Sequence, residues 1–259
     1  MKGDIAMVVA LIVIFSTILA SFYNVCIHRI LTNESIIYPS SYCPNCRHPL
    51  KILDLIPILS YISLLGRCRY CKSKISPRYL IIELITPIIA LILYIKYGFT
   101  WQFISYYILV SLLIIASFTD IEQQIIPNII ILLGLIFGLL FSLTDITRQF
   151  FDAILGLIVG AGSLSIIALV SLLVMKKEGM GGGDIKLLSA IGLFMGWKMT
   201  LLILLFSIYL GGLFSILLLL LKIKKTGEYI PFAPFISLAT LITLLWGKNI
   251  ISWYLISFL

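Results

Sequence analysis

Five long runs of the sequence contain no charged residue, and each is close to the roughly 20 residues with which a helix crosses a bilayer. They are Ile5–Val25, Phe99–Thr119, Ile125–Thr144, Ala153–Met175 and Met199–Leu221. The composition agrees, since 61% of the residues are hydrophobic and 12% are charged, with a mean hydropathy of +1.14. Such values lie far outside the range of soluble domains. The sequence therefore predicts an all-α protein that crosses a membrane several times.

Three further segments complete the expected set of about eight transmembrane helices. Tyr79–Tyr97 is interrupted by Glu83 and Lys96, one span fits within Tyr229–Leu259, and Leu187–Trp197 is apolar but short. A signal peptide is a weaker interpretation of the first run, because its apolar core is too long and Asp4 lies in the wrong flank. We therefore expect a first transmembrane helix at residues 1–25, a cytoplasmic domain at 26–78 and a transmembrane domain at 79–259.

Lysine and arginine predict the orientation, because cytoplasmic loops carry more of them than external loops do. With eight spans and an external N-terminus, 14 of the 19 Lys and Arg residues fall on the cytoplasmic side. The net charge of +8 is then a consequence of topology. No basic stripe with interleaved aromatic residues is present, so the expected surroundings are membrane lipid and nucleic acid is not an expected partner.

Four of the five cysteines form two Cys-x-x-Cys pairs within the cytoplasmic domain, "CPNC" and "CRYC", separated by 21 residues. Each pair can place two thiolates on one tetrahedral ion, so we expect Cys43, Cys46, Cys68 and Cys71 to bind a structural Zn²⁺. Disulfides are disfavoured in a reducing cytoplasm, and unligated thiols are the remaining alternative. A short segment without a large core needs such a metal for its order. Cys26 is expected to be a small buried hydrophobe.

Two aspartates lie at the cytoplasmic ends of predicted spans, where an acidic residue is costly and often functional. Asp120 occurs in "TDIEQQIIPN" and Asp184 in "GMGGGDIKLL". Both preceding spans run inward, so the two carboxylates can meet although they are 64 positions apart. The structural alternatives are an interfacial cap for Asp120 and a helix N-cap for Asp184. A phosphate-binding loop is a poor alternative, because the Gly-Lys-Ser/Thr ending of that motif is missing.

Two carboxylates held close together share a proton, so one can activate a water while the other protonates a peptide carbonyl. The expected chemistry is aspartic proteolysis. Glycines next to Asp184 have no Cβ atom, so they would let an extended substrate backbone approach the carboxylate and would adopt dihedral angles that other residues resist. The residues expected to form this substrate-approach loop are Gly179, Gly181, Gly182, Gly183 and Lys186. If Lys186 instead neutralised Asp184, an ion-coupled transporter would be the alternative, although such sites lie at the bilayer midplane. A scaffold that uses Zn²⁺ only to bind partners is a third class.

The motifs together resemble the bifunctional type IV prepilin peptidases, over about Phe22 to Ile236. The resemblance rests on "FYNVCIHRI", "CPNC", "IPILSYISLLGRCRYC", "ISPRYLIIEL", the two aspartate motifs and "IPFAPFISL". It implies that Asp120 and Asp184 are the catalytic pair, in a multi-pass protein of the bacterial inner membrane with its active site facing the cytoplasm. Substrates would be prepilins or pseudopilins with an apolar N-terminal helix, which are cleaved and then N-methylated from S-adenosylmethionine.

The resemblance also implies that Asn24, Arg29 and Glu83 belong to the methyltransferase half. The sequence departs from the family at two positions, because no proline follows Arg29 and Pro87 stands where a glycine is expected. Proline removes a backbone donor inside a helix, so the second departure bears on the methyltransferase half. Acidic side chains that could attract a basic leader are Glu34, Asp54, Glu122, Glu178 and Glu228.

Overall fold

The computed structural model of the chain describes residues 2–144, 150–176, 180–225 and 228–258. This described part is helical, with a single 3₁₀ turn at Ile52–Asp54. It divides into two compact units, Met1–Gly98 and Phe99–Leu259. The helices are α1 (Lys2–Leu31), α2 (Leu59–Ser63), α3 (Pro77–Tyr97), α4 (Trp101–Gln123), α5 (Asn128–Thr144), α6 (Phe150–Met175), α7 (Gly182–Met195), α8 (Trp197–Leu220) and α9 (Ala233–Phe258).

Every predicted membrane segment corresponds to one of these helices, and the all-α membrane fold is confirmed. Among the described residues, six helices are long and apolar enough to cross a bilayer: α1, α3, α4, α6, α8 and α9. The other two predicted spans form shorter helices, α5 with 17 residues and α7 with 14. Helix α1 is longer than its predicted span and continues past Val25 to Leu31.

In the first unit, α1 packs against α3, and the segment between them carries the two Cys-x-x-Cys pairs. Helix α3 begins at Pro77, a residue favoured at the first helical position, and the Ser76 side chain accepts a hydrogen bond from the N–H of Arg78. The side-chain nitrogen Nδ2 of Asn24 donates a hydrogen bond to the carbonyl oxygen of Tyr79, and this contact fixes α1 to the first turn of α3. Helix α3 continues through Pro87 to Tyr97. Proline there leaves the carbonyl of Glu83, four residues earlier, without its helical donor.

In the second unit, α7 is surrounded by other helices, and all its residues from Leu187 to Met195 are buried. Glycines allow this close packing. A Cβ atom on Gly156 of α6 would lie 2.3 Å from the carbonyl oxygen of Gly192 in α7, and one on Gly160 would lie 2.5 Å from that of Leu188. Small residues four positions apart bring membrane helices into backbone contact in this way. A short helix therefore suffices here, because its neighbours shield it from lipid.

Candidate active site

Asp120 lies in the last turn of α4 and is 2% exposed. The helix is followed by the C-cap residue Gln124, which adopts a left-handed conformation and donates its N–H to the carbonyl oxygen of Asp120. Asp120 does cap a helix, although not its own. Its Oδ2 accepts a buried hydrogen bond of 3.0 Å from the N–H of Ala233, the first residue of α9. The "IPFAPF" stretch therefore delivers a helix N-terminus, with its partial positive charge, to this carboxylate.

Asp184 is the third residue of α7 and is also 2% exposed. The N-cap of the helix is Gly181, so the N-cap interpretation of Asp184 is wrong. Its Oδ1 is buried and has no hydrogen-bond partner in the described part of the chain. A buried oxygen without a donor is costly in the charged state. The two carboxylates therefore differ in one respect: Oδ2 of Asp120 accepts the buried N–H of Ala233, whereas Oδ1 of Asp184 has no described partner.

Helices α4, α7 and α9 contact one another, and they bring the two aspartates close enough to interact electrostatically. A third polar group, the hydroxyl of Tyr229, lies beside them. Burial, together with the negative charges of Asp184 and Asp120, raises the pKa of Tyr229 to about 12. Tyr229 is absent from the sequence-based expectations, because a single tyrosine before a proline-containing motif carries no recognisable signal.

The glycines near Asp184 provide space and do not need unusual dihedral angles, so the second reason given for them above is wrong. Gly181 has φ −71° and ψ 137°, and Gly182 and Gly183 are helical. A Cβ atom on Gly181 would lie 3.1 Å from Oδ2 of Asp184 and 3.3 Å from the Tyr229 hydroxyl. One on Gly183 would meet Ile126 at 3.1 Å, whereas Gly182 faces open space. Gly179 lies outside the described residues.

Lys186 does not pair with Asp184 among the contacts that the structure describes. Its Nζ donates to the side-chain oxygen of Asn128 at 3.3 Å, and Asn128 is the first residue of α5. This contact joins the start of α7 to the start of α5. The neutralised aspartate on which the transporter alternative depends therefore finds no support here.

The four cysteines of the first unit converge on one point. Their sulfur atoms all lie within 4.8 Å of one another, and those of Cys43 and Cys71 are 3.8 Å apart. Four sulfurs at about 2.3 Å from a tetrahedral ion would be separated by about 3.8 Å. The cysteines are free thiols, so the disulfide alternative finds no support. The residues fit one Zn²⁺ ion.

The two cysteine pairs sit on matching turns. The N–H of Cys43 donates to the carbonyl of His48, and the N–H of Cys68 donates to that of Ser73. The residue after each second cysteine is left-handed, with φ 55° at Arg47 and 59° at Lys72. The Ser73 hydroxyl lies 3.1 Å from the sulfur of Cys71. Together with the Ser73 backbone and the neighbouring cysteines, its hydrogen bond lowers the pKa of that thiol to about 6. A thiolate is the form that binds metal.

The three residues expected for methylation are buried in the first unit but have different partners. Asn24 holds α1 to α3, as described above. The guanidinium of Arg29 donates to the carbonyl oxygens of Ser35, Ile36, Pro39 and Ser40 and so orders that loop. Oε2 of Glu83 accepts a hydrogen bond of 2.7 Å from the N–H of Ile58, which precedes α2 with φ 64°.

A cavity of about 400 Å³ lies in the first unit, and both Arg29 and Glu83 line it, whereas Asn24 does not. Three tyrosines, Tyr42, Tyr61 and Tyr79, also line it. This volume falls in the range of small-molecule sites, which combine aromatic walls with a few polar groups. Glu83 is the buried carboxylate in this wall.

The acidic residues considered for leader binding fall into two groups. Asp54 pairs with Nε of Arg69 at 2.6 Å, and Glu34 accepts from the Tyr42 hydroxyl at 2.6 Å. Both are therefore engaged within the first unit. Glu122 and Glu228 are exposed and flank Asp120 and Tyr229 in sequence. Glu178 lies outside the described residues.

Two protein families match the chain, and each match falls within one of the two compact units of the structure. Residues 14–97 match the bacterial peptidase A24 N-terminal domain, and residues 107–216 match the type IV leader peptidase family. Several curated relatives align along nearly the whole length. The chain belongs to the type IV leader peptidase family. The predicted family is thus confirmed, and membership favours a peptidase over a transporter or a scaffold.

Three relatives show how far the similarity extends, and each is named a prepilin leader peptidase/N-methyltransferase. The Aeromonas hydrophila protein is 34% identical over 96% of this chain and 94% of its own length. The Bacillus subtilis protein is 35% identical over 95% and 97%, respectively. The Pseudomonas aeruginosa protein is 35% identical over 85% and 76%. No solved structure gives a significant match.

Proposed function

We propose that this leader peptidase cleaves prepilins or pseudopilins on the cytoplasmic side of the membrane with Asp120 and Asp184 as its catalytic pair. The observation that carries the proposal is the meeting of two buried carboxylates from α4 and α7 in one helical unit. Neighbouring buried carboxylates are arranged for acid–base chemistry on a peptide bond, because they cannot both ionise readily.

The different surroundings of the two aspartates assign their roles. Asp120 lies at the N-terminus of α9 and Asp184 in the first turn of α7, so the helix dipoles do not distinguish them. The buried N–H of Ala233, which Asp120 accepts, stabilises negative charge on Asp120. Asp184 carries the shared proton, because its buried Oδ1 has no described donor to offset a charge. Asp120 then removes a proton from water as the water oxygen attacks the scissile carbonyl carbon. Asp184 delivers its proton to the carbonyl oxygen.

The substrate is a segment whose apolar helix remains in the bilayer while its basic leader projects into the cytoplasm. Glu122 and Glu228 are the acidic residues best placed to attract that leader, because they are exposed and next in sequence to the site residues. Gly181 leaves the approach to Asp184 open.

The first unit carries the methyltransferase half. The cavity around Glu83 fits S-adenosylmethionine, because its tyrosine rings can stack on an adenine and its buried carboxylate can attract a sulfonium cation. S-adenosylmethionine supplies the methyl group. Glu83 accepts a proton from the new N-terminal amine. The side chains of Arg29 and Asn24 fix the backbone around the cavity by donating hydrogen bonds to carbonyl oxygens. A Zn²⁺ ion on the four cysteines orders the segment that forms the cavity.

One experiment scores both halves. The purified protein in lipid nanodiscs is incubated with a prepilin and isotopically labelled S-adenosylmethionine, and cleaved and labelled pilin are counted separately. Both products are expected. Label without cleavage, or no product of either kind with a folded enzyme, would contradict the proposal. Glu83→Gln should remove the label and preserve cleavage, since Glu83 lies in the other unit from the aspartates.

A further inference from the structure

Tyr229 stands in the short segment that leads into α9, the helix whose first N–H binds Asp120. A hydrogen bond to the backbone fixes this segment, because Nζ of Lys224 donates to the carbonyl oxygen of Tyr229. The backbone that presents the tyrosine is therefore held by Lys224, which follows α8, and continues into the start of α9. This places the phenol at the aspartates while 43% of the residue remains exposed.

The hydroxyl and Asp184 border the same gap. An atom placed as the Cβ of residue 181 would lie 3.3 Å from the Tyr229 hydroxyl and 3.1 Å from Oδ2 of Asp184. Glycine keeps this gap open. Among the described contacts, no hydrogen bond joins Tyr229 and Asp184, so the hydroxyl does not donate its proton to that carboxylate. A peptide carbonyl that enters the gap can reach both groups.

The phenol is a donor throughout the physiological pH range. Its pKa is about 12, raised by burial and by the two aspartates, which are the titratable groups that act on it. It therefore keeps its proton while Asp120 carries a charge. A neutral donor next to a catalytic pair can stabilise the negative charge that develops on a carbonyl oxygen.

We propose that Tyr229 is a third catalytic residue of the peptidase, whose hydroxyl donates a hydrogen bond to the carbonyl oxygen of the scissile peptide. The role rests on the two-aspartate hydrolysis proposed above. As the bond from the water oxygen to the carbonyl carbon forms, the π electrons move to the carbonyl oxygen. Asp120 takes the proton of the water, and Asp184 gives its proton to that oxygen. Tyr229 retains its own proton throughout and supplies only the hydrogen bond.

The test is cleavage of a prepilin by Tyr229→Phe, which deletes the hydroxyl and keeps the ring. We expect kcat to fall by about 10²–10³-fold with KM little changed, as when one donor to a developing oxyanion is removed. Tyr209→Phe is the matched control, because Tyr209 is 67% exposed on the outer face of α8 and should not affect cleavage. An unchanged kcat for Tyr229→Phe, or a loss confined to KM, would overturn the proposal.

Two further measurements keep the test decisive. Should Tyr229→Phe melt at a lower temperature, a polyfluorinated tyrosine at position 229 preserves the shape and makes the phenol more acidic. The ratio of its kcat to that of the wild-type protein should then fall as the pH rises, and a ratio that does not change with pH refutes the role. Asp184→Asn in the same assay separates the two proposals. Normal cleavage by that variant refutes the two-aspartate site, whereas loss there with a fully active Tyr229→Phe refutes only the tyrosine.

Discussion

Gly181→Ala should separate activity from stability, because the added methyl group enters the gap between Asp184 and Tyr229. The backbone does not oppose the change, since φ −71° and ψ 137° are ordinary for alanine. The lower entropy of the unfolded chain would stabilise the protein by about 0.4–1 kcal/mol. Alanine is a poorer N-cap than glycine, which costs a similar amount. The melting temperature should therefore stay close to that of the wild type.

Cleavage should fall nonetheless. A Cβ atom 3.1 Å from Oδ2 of Asp184 is tighter than ordinary contact, so the carboxylate must shift by a few tenths of an ångström. A displacement of about 1 Å at a reacting group costs about 10²-fold in rate, and a smaller shift combined with a narrower gap should cost about 10- to 100-fold. The assay is kcat/KM on a prepilin in nanodiscs, with thermal unfolding measured on the same sample.

Gly182→Ala is the matched control, because its Cβ would meet no atom within 4 Å. It should cleave normally. Full activity of Gly181→Ala would refute the role given to the gap. Equal losses for both variants would instead indicate that the whole glycine segment contacts the substrate.

Gly183→Val should impair cleavage, because the valine side chain would push against Ile126 in the connection from Asp120 to α5. A cleavage assay on the folded variant should show the loss. Gly138→Val should be at least as damaging, since a Cβ there would lie 2.7 Å from the Cβ of Leu193 in α7, and thermal unfolding should report the loss. Metal analysis should find about one Zn²⁺ per chain, with sulfur ligands at about 2.3 Å by X-ray absorption. Cys68→Ser should lower the ratio of methylated to cleaved pilin; an unchanged ratio with cleavage lost in step would show that the cysteine segment also positions the substrate.

Hydrophobic runs and cysteine spacing were sufficient to predict most of this fold. Charge-free runs are detectable because each transmembrane helix must be apolar along its whole length. The two Cys-x-x-Cys pairs were equally informative, because thiolate chemistry constrains their spacing. The short α7 was the hardest helix to interpret, since its burial by neighbouring helices depends on glycine contacts such as that of Gly156 with Gly192.

The aspartate site was predictable only in part. Asp120 and Asp184 were identified because carboxylates at span ends are unusual. The hydrogen bond from the N–H of Ala233 to Asp120 could not be predicted from the sequence. Almost every residue type carries a backbone N–H, and the two positions are 113 residues apart. Tyr229 was missed for a related reason, since its proximity to the aspartates follows from how α9 is docked. The sequence does not determine the hydrogen-bond partner of Lys186, which in the structure is Asn128.

The most direct measurement is the rate of prepilin cleavage by Asp120→Asn and Asp184→Asn, each in nanodiscs with its metal content and melting temperature verified. Asp152→Asn is the control, because Asp152 packs against Gly196 at the start of α8 and should change only stability, by about 0.3–1 kcal/mol. Each of the first two variants should lose about 10²–10⁴-fold in kcat, since one carboxylate cannot both activate water and protonate the carbonyl. Normal cleavage by either one, in a folded protein that retains its metal, would contradict the two-aspartate mechanism.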